Sequence, residues 1–159
     1  MTPSLRQDLR AAVLDTPLGK DKLVLSRFDG SEGVSELFEW RIEALSLDGD
    51  IDFDALLGMN VTLTITGTTG GSRKFDGILT EAQWLGVRDH FHAYRLVLRP
   101  WLWLLSHRTD CFIFHNKSVT TIIAEVFSRH GQLAVFEDRT SGAFSPIEYC
   151  VQYRESDMG

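Results

Sequence analysis

His90 and His92 stand two residues apart, a spacing that in a strand points both imidazoles to one face, as a metal pair would require. No third ligand is placed to complete a tetrahedral site, and the pair borders the polar turn Arg88-Asp89-His90, so no bound metal is expected. His107, His115 and His130 are scattered and suit surface or capping positions. Glu155 and Asp157 could be read as a carboxylate pair for acid–base work. Two acids at the end of a strand, with Ser156 between them, suit helix capping better. Gly67-Thr-Thr-Gly-Gly-Ser-Arg-Lys superficially has the glycines and cations of a phosphate loop. It lacks the Gly-x-x-x-x-Gly-Lys-Ser/Thr order and joins two strands instead of opening a helix, which makes it a hairpin. Neither a Gly-x-Ser-x-Gly turn, a His-Glu-x-x-His pair nor a dinucleotide fingerprint occurs. The residue types therefore assign no catalytic, cofactor-binding or metal-binding position, and the chain is expected not to be an enzyme.

The elements that would position any site are organised around Arg99 to Phe114, the densest run of large apolar side chains. Pro100 lacks an amide hydrogen, so it cannot continue a central ladder but can open a helical turn. Trp101, Leu102, Trp103, Leu104 and Leu105 cannot all face one side, which predicts a short buried helix wedged between a sheet and something else. Two uses remain open for it: a core plug, or part of an interface with another subunit.

A chain of 159 residues is of single-domain size and can bury a real core. Its net charge of −6 argues against nucleic acid or an anionic membrane as partner, since those are drawn by clustered Lys and Arg. A protein partner is expected instead. Cys111 and Cys150 each lie in an apolar strand-like run, as free cysteines do when they act as small core residues in a reducing compartment. Arg6, Asp8, Arg10 and Asp15 interrupt the first residues, so no signal peptide is expected, and no segment approaches the ~20 apolar residues of a membrane span.

Taken in order, Ser4 to Leu14 carries a weak amphipathic pattern, read as a lead-in helix or arm ended by Pro17 and Gly19. Strands follow at Lys22 to Phe28, with Asp29-Gly30-Ser31-Glu32-Gly33 as a positive-φ exit turn, and at Glu36 to Leu45, where Phe38, Trp40, Ile42 and Ala44 share a face. Asp50 or Asp52 caps one helical turn closed by Gly58. Val61 to Thr66, Arg73 to Leu85 and Phe91 to Leu98 make consecutive hairpins, and the whole of Lys22 to Leu98 reads as an antiparallel β-barrel. Beyond the wedge come a strand from Cys111 and a helix from Val119 to His130. Ser118 is its N-cap, Gly131 its C′ residue, and Val119, Ile122, Ile123, Val126 and Phe127 share a face. Leu133 to Phe136 and Ile147 to Tyr153 read as further strands, and one face of the last, Ile147, Tyr149 and Val151, is expected to stay partly exposed. The fold class is mainly β with inserted helices. The expected organisation is an arm over 1–17, the barrel over 18–100 and a helix–strand segment over 101–159.

Seven blocks then fall in a recognisable order: Arg27-Phe-Asp-Gly-Ser-Glu-Gly-Val-Ser-Glu-Leu-Phe, Phe53-Asp-Ala-Leu-Leu-Gly, Phe75-Asp-Gly-Ile-Leu-Thr, Leu98-Arg-Pro-Trp-Leu-Trp-Leu-Leu-Ser, Phe112-Ile-Phe, Ser118-Val-Thr-Thr-Ile-Ile and Val151-Gln-Tyr-Arg-Glu-Ser-Asp. From about Leu18 onward the chain resembles the N-terminal part of the VgrG family, the spike proteins of type VI secretion, in the segment related to phage tail baseplate hubs. The resemblance implies a structural hub of β-barrels that forms a homotrimer and sits on the hexameric Hcp tube. It also implies assembly in the cytoplasm and delivery by the apparatus without a signal peptide. In the family the Tyr-x-Glu-Ser-Asp block leads into a helix, a second barrel and a long β-helical spike. Here the sequence stops at Gly159 and is read as a fragment or truncated product, expected alone to be a monomer or weak oligomer. Two alternatives stay open: the hub of a phage or phage-derived contractile tail, and, in another class, a small-ligand-binding barrel or an enzyme built on one.

Overall fold

Between Glu39 and Ser46 every second side chain turns inward, burying Trp40, Ile42, Ala44 and Ser46 and leaving Arg41 in solvent. The same period of two recurs across the first unit of a computed structural model that describes residues 5–8 and 10–158. That unit runs up to Pro100, and a second begins at Trp101.

Six antiparallel strands build the first unit: β1 (Ala12–Asp15), β2 (Val24–Ser31), β3 (Glu39–Ser46), β4 (Asn60–Thr66), β5 (Ser72–Arg88) and β6 (Phe91–Arg99). Their order across the sheet is β1-β4-β5-β6-β3-β2. The sheet curls into a half-barrel, so that the two edge strands approach each other and Arg10 Nη1 donates to the Leu25 carbonyl at 3.0 Å. Its interior is Leu14, Leu23, Trp40, Ile42, Leu56, Leu63, Leu79, Tyr94, Leu96 and Leu98, each worth about 1.5–3 kcal/mol on burial when aliphatic. Trp40 is stacked on Phe38 with ring centroids 5.0 Å apart and meets Phe75 edge-on at 5.2 Å.

Two hairpins form as the turn residues require. Gly67 N donates to the Gly71 carbonyl at 2.7 Å, and Asp89 and His90 take φ of 48° and 74°, the paired positive values of a two-residue turn matched to strand twist. Asp52 caps its helical turn, its Oδ1 accepting from Asp54 N at 3.0 Å, and Gly58 closes it at φ 78°.

Three expectations for this unit are corrected. The lead-in helix does not form across Ala12–Asp15, which is β1 paired with Thr62 to Ile65; Ser4 and Leu9 of that expectation lie outside the described residues. The reason lies in Gln7, a buried amide that accepts from Leu14 N at 2.7 Å and donates to the Leu14 carbonyl at 3.1 Å, fixing that backbone as extended. Strand β2 also continues through Asp29, Gly30 and Ser31 instead of turning there, because Gly30 lies against Trp40 where a Cβ would meet its ring at 2.4 Å. Finally, His90 sits in the turn and only His92 in a strand, so the two imidazoles do not share a strand face.

In the second unit the 3₁₀ helix Trp101–His107 follows Pro100, as a proline at a helix start allows. Only Leu105 of it is buried; Trp101 and Trp103 are half-buried, a correction to the expected buried wedge. A two-stranded antiparallel ribbon, β7 (Thr109–Lys117) and β8 (Ile147–Ser156), is joined by α1 (Val119–Ser128) and an irregular stretch. Ser118 caps α1 by accepting from Thr121 N at 3.3 Å. The helix ends at Ser128 instead of His130, and Leu133 to Phe136 is not a strand: Gly131–Leu133 is a 3₁₀ turn, and Phe136 packs edge-on against Phe127 at 4.9 Å. Neither cysteine is a core residue. Cys111 is exposed, Cys150 is half-buried, and both are free.

Candidate functional site

Alternation leaves charge on the outer face of the half-barrel, and β3, β5 and β6 organise it into a lattice. Arg99 bridges three neighbours: Nε and Nη2 donate to Glu39 Oε2 at 3.0 and 2.6 Å, and Nη1 donates to Thr80 Oγ1 and Glu81 Oε1 at 2.7 Å each. Glu39 Oε1 in turn accepts from Arg41 Nε at 2.9 Å. The Arg99 hydrogen bond, with Arg41 beside it, holds the Glu39 carboxyl below the ordinary range despite partial burial. Glu43 is held down in the same way, first by Arg95 and then by Arg88, at 3.3 and 3.1 Å. These side chains edge a shallow cleft of about 460 Å³ that also includes Gln83 and Val97. Acids and bases there neutralise one another, which makes the cleft a polar, ion-paired surface.

The ribbon of the second unit is asymmetric. Its inner face holds Phe112, Phe114 and Gln152, with Arg129 of the helix end lying 4.3 Å over the Phe112 ring. Its other face carries Cys111, Ile113 and His115 on β7 and Ile147, Tyr149, Val151 and Tyr153 on β8, with Ile113 opposite Val151 and His115 opposite Tyr149. Exposure of Tyr149, Val151 and Tyr153 is 55%, 44% and 65%, so an apolar sheet face is open, as expected for Ile147, Tyr149 and Val151.

Asp157 closes a buried polar cluster. Its side chain is fully buried, accepting from Gln152 Nε2 at 2.9 Å, with His130 Nε2 at 2.8 Å and Arg108 Nε at 3.7 Å. Burial alone would raise its carboxyl, but the hydrogen bonds from Gln152 and His130 and the Arg108 charge outweigh it and leave it lowered. The cluster ties the end of β8 to the end of α1 and to the turn before β7. Glu155, its supposed partner, is exposed, and its backbone carbonyl accepts from the same Gln152 Nε2 at 3.2 Å. His107 leans on Trp103, and His115 meets Tyr149 edge-on at 5.0 Å. His92 packs over Gly49, where a Cβ would meet the imidazole at 2.5 Å. Among the described residues no three His, Cys, Asp or Glu gather as a metal site, and no helix is long and apolar enough to cross a membrane.

A curled antiparallel sheet in the first unit and a helix-backed ribbon in the second carry these charged and apolar surfaces. Residues 31–159 match the phage tail baseplate hub (GPD) family, and the chain belongs to that family. It is similar to the type VI secretion system spike proteins VgrG1b, VgrG1c and VgrG1a of Pseudomonas aeruginosa. The identities are 39%, 39% and 37% over 98%, 96% and 94% of this chain, which correspond to 21%, 21% and 23% of theirs. The chain thus spans about a fifth of the length of these relatives. Among solved structures, its fold matches the E. coli c3393 protein, described as a component of the type VI secretion system similar to T4 bacteriophage tail proteins gp27 and gp5. That match has a TM-score of 0.74 at 21% identity, over 91% of this chain and 40% of the other.

Proposed function

We propose that this chain is the N-terminal hub portion of a type VI secretion spike, a structural part with no catalytic activity. In a spike of the relatives' length, three copies form the ring that joins the spike to the hexameric Hcp tube. Residues 18–100 serve as one barrel of that ring, and 101–159 begin the remainder of the hub. The reading is carried by one observation, 39% identity to a type VI spike protein over 98% of the chain. The charged lattice on the half-barrel and the open ribbon face are its candidate assembly surfaces. Assembly in the cytoplasm and export by the apparatus without a leader follow from the same reading. A second reading, the hub of a contractile phage tail, is favoured by the family matched, whose description is that of phage tail baseplates.

The test is a chimera in which residues 18–159 replace the corresponding stretch of VgrG1b. The expected product is a trimer that co-purifies Hcp and restores secretion to a strain lacking VgrG1b. A folded, trimeric chimera that neither binds Hcp nor is secreted would overturn the type VI reading.

A further inference from the structure

We draw no further inference here: the strongest candidate, the apolar groove of about 250 Å³ that Ile123 and Phe127 of α1 form with Phe136, has rim carboxylates, Glu137 and Asp138, already met by Arg139 and Thr140, and nothing in the structure shows what covers it.

Discussion

Nε2 of His130, just beyond the end of α1, lies 2.8 Å from Oδ2 of Asp157, whose side chain is fully buried just past the end of β8. A carboxylate can only accept, so the imidazole proton sits on Nε2 in this pair. The folded carboxyl is held below its unfolded value, so its contribution to stability is complete above the unfolded pKa and fades as pH falls through the folded one. Thermal melts stepped from neutral pH toward pH ~3, around and below the ordinary Asp value of ~3.9, should fall more steeply for the wild type than for Asp157→Asn. At neutral pH the variant should be less stable by about 1.5–3 kcal/mol, the range for hydrogen bonds to a charged group. Parallel acid limbs would show that Asp157 does not carry this dependence.

Trp40 and Trp103 should respond very differently to truncation. Trp40 is 5% exposed in the centre of the aromatic cluster, whereas Trp103 is half-buried on a short 3₁₀ helix. Trp40→Ala should lower stability by about 3–5 kcal/mol, read from the urea midpoint. Trp103→Ala should cost less than half as much. Equal losses would place the two rings in equivalent environments, contrary to the structure.

Much of the half-barrel was legible because its strands alternate cleanly: Trp40, Ile42 and Ala44, or Val61 and Leu63, cannot be buried by a helix at that spacing. The turn at Asp89-His90 and the caps at Asp52 and Ser118 were equally local. What escaped was set by partners distant in sequence. Gln7 makes β1 a strand from seven residues away, and no periodicity in the first fifteen residues records that. Gly30 read as a turn glycine because its neighbours are Asp and Ser, although its role is to let β2 pass close to Trp40. Likewise the burial of Asp157 was not legible, since its partners Arg108, His130 and Gln152 come from three separate stretches of the chain.

Gly30 gives a direct test of that close approach. A Cβ there would lie 2.4 Å from both the Glu39 carbonyl oxygen and the Trp40 ring, and the first of these is backbone of the paired strand. Gly30→Ala should therefore destabilise by about 1–3 kcal/mol, the usual cost of overpacking, although alanine favours strands over glycine. Chemical denaturation decides it. An unchanged or raised midpoint would mean that β2 and β3 are not held this closely.

Arg99 tests whether the charged lattice depends on geometry or on charge alone. Its guanidinium reaches Glu39, Thr80 and Glu81 at once, a span that the single ammonium of lysine cannot reproduce. Arg99→Lys keeps the formal charge but should release at least one of these contacts, and the Glu39 carboxyl, lowered chiefly by Arg99, should move back up toward its ordinary value. Carbon-detected NMR titration of the Glu39 side chain measures this directly. Because the folded value is depressed, the stability it contributes is present above the unfolded pKa and lost as pH falls through the folded one. The variant should therefore show a shallower acid limb as well as a loss of about 1–2 kcal/mol near neutral pH. Were charge alone responsible, Arg99→Lys would leave the Glu39 titration where it is, while Arg99→Met would shift it upward.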